Sequence, residues 1–146
     1  DEKNAIRVEN WLDEAVKSGA KILCGGKRTG NYFEPTVVTN TNTSMKINAE
    51  EIFGPVVCIE KCFDFKDGIE KMNDSRFGLQ AGVFTNDNSI IDYAFQNLEV
   101  GGVIINDVPT FRVDNMPYGG IKDSGLGREG VKYAMMDYME MKLMVR

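Results

Sequence analysis

The sequence contains no histidine. That absence removes Ser-His-Asp hydrolysis, Cys-His proteolysis and the usual histidine metal sites together. A general base must then be a carboxylate or a lysine, or lie outside this chain. Cysteine is scarce: Cys24, Cys58 and Cys62 cannot all pair with one another, and their spacing is not a zinc pattern, so no metal site is expected. Unpaired thiols imply a reducing compartment, and the expected location is cytoplasmic. In the stretch VVCIEKCF, Cys58 and Cys62 are expected to share one face of a strand, with Lys61 on the opposite face. A catalytic thiolate needs a cation, a helix N-terminus or a base close by, so these cysteines read as structural, small buried hydrophobes.

No apolar run approaches the roughly 18 residues of a membrane span, and no signal-peptide pattern opens the chain. Positive charge is in deficit: the net charge is −5 and the pI near 4.8, which argues against nucleic acid or an anionic membrane as the partner. Repeats, low-complexity tracts and linkers are missing too. What is present is ordinary for a globular domain, 42% hydrophobic and 27% charged over 146 residues, enough for one real apolar core. The chain opens on Asp1 rather than Met, and is expected to be a piece of something longer.

Hydrophobic periodicity predicts a helix over residues 4–17, with Val8, Trp11, Leu12, Ala15 and Val16 at helical spacing and Gly19 as the stop. Strands are expected in AKILCGG, YFEPTVVT and FGPVVCIEKCF, then a helix in FKDGIEKMND and a strand in QAGVFTND. SIIDYAFQNLE reads as a helix with Ser89 as its N-cap, and VGGVIIND as a buried strand. REGVKYAMMDYME reads as a helix and MKLMVR as a closing strand. Strands alternating with helices predict an α/β layer with a largely parallel sheet and flanking helices. The longest unpatterned stretch, Val108 to Gly127, follows a buried strand; sites in such sheets gather beyond the carboxyl ends of strands.

One motif misleads. SGLGREG places Gly125, Gly127 and Gly130 in the spacing G-x-G-x-x-G. A dinucleotide fingerprint also needs a strand directly before it and an acid about 20 residues beyond. Here IKDS precedes, and the chain ends too soon. These glycines are expected to serve the loop.

Two other stretches are more specific. EEIFGPV at residues 50–56 and MPYGGIKDSGLGREG at 116–130 resemble the C-terminal half of the NAD(P)-dependent aldehyde dehydrogenase superfamily. The order GAKILCGG, YFEPTVV, EEIFGPV, FGLQAGVFTND, GGVIIND, PYGGIKDSG follows that family's order across essentially residues 6–146. The resemblance implies an α/β catalytic-domain fold, here partial, with residues 1–146 forming its later part. It also implies oxidation of an aldehyde by a cysteine thiolate with NAD or NADP as cofactor. The family's Gly-Gln-x-Cys-type nucleophile motif, its upstream glutamate base and its Rossmann domain are not in this sequence, so no catalytic residue is assigned and the chain alone is expected to be inactive.

Carried onto this sequence, the resemblance implies that Glu51 hydrogen-bonds the nicotinamide ribose and that Phe53 lies near the nicotinamide ring. Asn106 ends the buried strand, while Phe111 and Tyr118 match positions that line the family's aldehyde tunnel. Tyr118 departs from a frequent phenylalanine and would add a hydroxyl there. PTFRVDNMPYGG resembles branches acting on lactaldehyde, phosphorylated glyceraldehyde and phosphonoacetaldehyde, so the expected substrate is a small hydroxylated or anionic aldehyde. Arg112 either forks onto a phosphate or carboxylate or pairs at the surface with Asp114 or Asp107. Lys122, Ser124 and Arg128 read as loop-fixing residues, Arg128 as a salt-bridge partner. The methionines from Met135 to Met144 read as adaptable packing. Alternating Met141, Leu143 and Val145, with Ile91 and Phe95, suggest a homodimer or higher oligomer. Two alternatives stand: a non-catalytic truncated paralogue or oligomerisation fragment, and a reductase of acyl-thioesters or acyl-phosphates on the same fold.

Overall fold

Asp1 begins the first helix by accepting the Asn4 N–H at 2.8 Å, an N-cap that satisfies one orphan donor of the first turn. The computed structural model describes residues 1–146. Helix α1 (Glu2–Lys17) buries Ala5, Val8, Leu12 and Ala15 along one stripe and stops before Gly19, whose φ of 106° suits glycine. The chain divides into two units, Asp1–Phe63 and Asp64–Arg146.

In the first unit the stripe of α1 packs on a three-stranded sheet. Strand β1 (Lys21–Cys24) runs antiparallel to β4 (Thr36–Thr39), which runs parallel to β5 (Val56–Ile59) in the order β1-β4-β5. Between them β2 (Arg28–Thr29) and β3 (Tyr32–Phe33) form a small hairpin, tied to α1 by an Arg28–Glu9 ion pair at 2.7 Å. Val8, Leu12, Phe33, Val38 and Ile47 form the core, with Ile47 supplied by the short helix α2 (Lys46–Ala49).

The second unit holds a parallel pair joined by a crossover helix. Strand β7 (Gln80–Val83) lies beside β8 (Gly102–Ile105), with Val83 opposite Ile105. Helix α4 (Asn88–Asn97) connects them and buries Ala94 against Ala81, Val83 and Ile69, the last from helix α3 (Phe65–Asn73). A second, antiparallel pair joins β6 (Phe77–Gly78) to β9 (Ile121–Lys122), and α5 (Val131–Met136) follows.

The α/β reading is met, with parallel pairing at β4–β5 and β7–β8 and antiparallel pairing elsewhere. Four local expectations differ. Strand β5 ends at Ile59, so Cys62 lies beyond it and does not share a strand face with Cys58. The N-cap of α4 is Asp87, not Ser89: its carboxylate accepts the Ser89 N–H at 2.8 Å and the Ser89 hydroxyl at 2.6 Å. Helix α5 is shorter than expected and buries no residue. MKLMVR forms no strand, because a strand needs a paired neighbour and this chain offers it none.

Candidate functional site

EEIFGPV occupies the connection from α2 into β5, and three contacts hold it from behind. The guanidinium of Arg7 donates from Nη2 to the Ile52 carbonyl at 2.7 Å. Gly54 lies against Val8: a Cβ added there would come within 2.8 Å of Val8 Cγ2. The Pro55 carbonyl accepts the Thr36 N–H at 2.8 Å, locking the turn to β4. On this support Glu51 is exposed, and Phe53 stands 80% exposed.

Phe53 also has a φ of 43°, in the left-handed region that a bulky side chain seldom enters. Such a conformation costs roughly 1–3 kcal/mol and persists only where its surroundings over-determine it. Here those surroundings are the anchored Ile52 carbonyl on one side and the Gly54–Pro55 turn on the other. The chain thus holds an aromatic ring in water against both its backbone preference and its hydrophobicity, next to an exposed carboxylate. Beneath the ring lies a cavity of about 290 Å³ bordered by Val8, Tyr32, Phe33 and Phe53.

The other four predicted site residues lie in the second unit, beyond the carboxyl end of β8. Asn106, with φ 58°, closes the parallel pair: its N–H reaches the Val83 carbonyl at 2.8 Å and its Oδ1 accepts the Thr85 N–H at 2.9 Å. A Cβ at Gly82 would meet the Asp107 carbonyl at 2.6 Å, so glycine lets the loop fold back over β7. Gln80 then donates to the Phe111 carbonyl at 2.9 Å, which fixes the backbone beneath the half-exposed Phe111 ring.

Arg112 pairs neither with Asp114 nor with Asp107. Its Nη2 lies 2.9 Å from Glu129 Oε2, and its guanidinium carbon sits 5.0 Å from the centroid of the Tyr118 ring. The reason is an isolated bridge: Tyr118 N–H donates to the Glu129 carbonyl at 3.2 Å and Glu129 N–H to the Tyr118 carbonyl at 2.6 Å. That bridge sets Glu129 and the Tyr118 ring side by side, and Arg112 spans both.

The loop-fixing residues act as such. Lys122 Nζ donates to the carbonyls of Asn73 at 2.8 Å and Ser75 at 3.1 Å and pairs with Glu99 at 2.7 Å. Ser124 Oγ accepts the Gly78 N–H at 2.9 Å. Arg128 donates to the carbonyls of Gly120 and Gly127, at 3.0 and 2.7 Å, rather than to a carboxylate. Gly125, Gly127 and Gly130 all have positive φ in this loop. Met135 and Met136 of α5 line an open cleft of about 600 Å³ together with Asp114, Asn115, Val131, Lys132 and Met139, and α5 buries no residue.

Of the cysteines, Cys58 is half-buried with its Sγ 3.9 Å from the Ile47 carbonyl. Burial pushes its thiol above the ordinary range, partly offset by the neighbouring Thr41 hydroxyl. This is the opposite of an activated nucleophile. No group of three metal-ligating side chains occurs, and no helix is long and apolar enough to cross a membrane. Arg7 and Glu129 were not legible as supports of this region, because each reaches a partner far along the chain, 45 residues away for Arg7.

One unit thus carries a strained, backed aromatic beside an exposed carboxylate, and the other an aromatic–arginine loop beyond a parallel pair of strands. The chain belongs to the aldehyde dehydrogenase family, whose family model matches residues 1–144. It is 50% identical over 143 residues to a 3-sulfolactaldehyde dehydrogenase of Priestia aryabhattai, covering 98% of this chain and 30% of that protein. The structure of aldehyde dehydrogenase 21 from Physcomitrella patens, in complex with the reaction product succinate, superimposes with a TM-score of 0.92 at 51% identity, covering 96% of this chain and 29% of that one. The glyceraldehyde-3-phosphate dehydrogenase GapN of Methanocaldococcus jannaschii, complexed with NADP, gives 0.85 at 43% identity over 91% of this chain and 29% of its own. This chain therefore spans about 30% of the length of the curated relative it matches.

Proposed function

We propose that residues 1–146 form the C-terminal part of the catalytic domain of an NAD(P)-dependent aldehyde dehydrogenase that oxidises a small anionic or hydroxylated aldehyde to its carboxylic acid. The nucleophilic cysteine, which forms the thiohemiacetal, and the Rossmann domain belong to sequence outside this chain. NAD or NADP, when bound, supplies the hydride acceptor. Glu51 and Phe53 fit such a group: an exposed carboxylate accepts hydrogen bonds from two ribose hydroxyls, and a fixed ring beside it offers a flat apolar surface. The observation that carries this reading is Phe53 itself, left-handed at φ 43° and held in water by a loop anchored from behind.

Asn106, Phe111 and Tyr118 contribute to the substrate tunnel in this proposal, Asn106 by holding the loop's start and the two aromatics by lining it. Arg112 takes the anionic group. The guanidinium meets Glu129 through Nη2 and its side chain is half-exposed, so it can also fork onto a phosphate, sulfonate or carboxylate. The names of the three relatives fit an anion, since sulfolactaldehyde, succinate and glyceraldehyde 3-phosphate all carry one. The protein works in a cytoplasmic, reducing setting as a homodimer or higher oligomer, a reading supported by its free thiols and by the exposed apolar run from Met135 to Val145. Light scattering of the full-length enzyme at the monomer mass, unmoved by dilution, would remove the assembly.

The test of the cofactor reading is Glu51→Gln in the full-length enzyme. Hydrogen bonds to a charged group contribute roughly 1.5–3 kcal/mol, so the cofactor KM is expected to rise by about tenfold or more. An unchanged cofactor KM and kcat removes Glu51 from the site.

A further inference from the structure

Arg7 presents an unusual arrangement for a half-buried cation. No carboxylate pairs with it: its Nη2 goes to the Ile52 carbonyl at 2.7 Å, its Nε approaches Asn4 Oδ1 at 3.5 Å, and its guanidinium carbon lies 4.5 Å from the centroid of the Trp11 ring. Asn4, Arg7 and Trp11 follow one another on a single face of α1 at helical spacing, so the helix aims the guanidinium by sequence alone. A cation–π contact holds the guanidinium over the indole, and its one short, charge-assisted hydrogen bond goes to the Ile52 carbonyl.

The acceptor matters. Ile52 stands between Glu51 and Phe53, and its carbonyl belongs to the peptide that feeds directly into the left-handed Phe53. Rotation of that peptide is what would let Phe53 relax to an ordinary φ, and rotation would take the carbonyl away from Arg7. Val8, the next residue of the same helix, meets Gly54 on the other side of Phe53. One turn of α1 therefore grips the loop on both sides of the strained residue.

We propose that Arg7 is a positioning residue for the cofactor, acting through the Ile52 carbonyl to hold Phe53 and Glu51 in their binding arrangement. This rests on the reading of Glu51 and Phe53 as cofactor contacts. An arginine serves the task because its long stem reaches across from the helix while Trp11 lies under its charged head, and the bond it makes to a neutral carbonyl survives any change in carboxylate protonation.

The test uses the full-length enzyme with three variants, Arg7→Met, Arg7→Lys and Glu51→Gln, and measures KM for cofactor, KM for aldehyde and kcat. Methionine keeps the apolar stem on Trp11 and deletes the donor; lysine restores a donor without the planar guanidinium. Arg7→Met is expected to raise the cofactor KM by about tenfold while the aldehyde KM moves less than threefold, and Arg7→Lys to recover part of the loss. A cofactor KM within twofold of the parent in Arg7→Met, while Glu51→Gln raises it, overturns the role of Arg7 alone. If Glu51→Gln also leaves it unmoved, the cofactor reading falls and this inference with it. Equal rises in both KM values that lysine does not rescue mean that Arg7 only supports the fold, which overturns the proposal as well.

Discussion

Gly54→Ala tests how tightly the loop proposed to meet the cofactor is held, because the obstacle it creates has a known size. The new Cβ would sit 2.8 Å from Val8 Cγ2, and ordinary contact begins at 3.4 Å, so the two must separate by about 0.6 Å. Val8 cannot readily give way. It is 2% exposed, stands in the middle of α1, and as a β-branched residue in a helix it has essentially one χ1 rotamer. The loop is the softer partner, so Phe53 and Glu51 move with Gly54. Overpacking of this kind costs about 1–3 kcal/mol. Since a misplacement of about 1 Å at a reacting group can cost a hundredfold, a shift of this size is expected to lower kcat/KM for the cofactor about tenfold. The assay is steady-state kinetics on the full-length enzyme with Gly54→Ala, Val8→Ala and the double variant. Val8→Ala opens a small cavity and relieves the clash, so the double variant should recover at least about 1 kcal/mol relative to the sum of the single effects. Two results would refute the reasoning: an efficiency within twofold of the parent in Gly54→Ala, or strictly additive effects in the cycle.

Arg112→Gln in the full-length enzyme is expected to lower the ratio of kcat/KM for an anionic aldehyde over that for an uncharged one of similar size by about tenfold, measured with succinic semialdehyde against butyraldehyde; an unchanged ratio removes Arg112 from anion recognition. Cys58 should label with a thiol reagent more slowly than Cys24 or Cys62 in the native protein. Because burial raises its pKa, its rate should climb only at a pH above that of an ordinary thiol, and equal rates for all three would refute this. The Asp87 carboxyl is held below its ordinary pKa, first by the Ser89 hydroxyl and then by the Ser89 N–H. Its contribution to stability is therefore present above the unfolded carboxyl pKa and fades as pH falls through the lower folded value; Asp87→Asn should remove that acid-side dependence from the melting curve of α4, measured by hydrogen exchange at Ser89–Ile91.

The elements legible in the sequence are those whose burial partners lie within the same chain. Helix α1 shows its stripe because Val8, Leu12 and Ala15 face Val38 in the same unit, and α4 shows Ala94 and Leu98 because β7 and β8 supply the other half of that core. Periodicity reports a buried face, so it fails where no such face forms. Helix α5 and residues 141–145 carry a convincing apolar alternation, yet none of their side chains is buried and the strand does not form. Strand β2 and the pair β6–β9 were invisible for another reason, that two-residue strands have no period to read, and β3 shows in the sequence only as the start of YFEPTVVT. At the start of α4 the stretch NDNS offers several good caps, and propensity alone does not choose among them. Asp87 takes the role because from there its carboxylate reaches both donors of Ser89.

The site divides along a similar line. The site residues proposed in EEIFGPV and in the Arg112–Tyr118 loop rest on likeness to a family, and the structure adds the contacts around them. Their supports were not legible in the sequence. Arg7 contributes through a backbone carbonyl, and a carbonyl has no side chain to mark it in the sequence. Glu129 reaches Arg112 because an isolated bridge lays it beside Tyr118, and such a bridge depends on where two loops return rather than on any residue pattern. The strain at Phe53 is the extreme case. Nothing in the letters Ile-Phe-Gly-Pro requires phenylalanine to enter the left-handed region; it is forced there by Arg7 on one side and by Val8 against Gly54 on the other, both from a helix more than 40 residues earlier. Likeness can therefore suggest which groups would meet a ligand, whereas the residues that hold those groups in place become visible only when the helix behind the loop is seen.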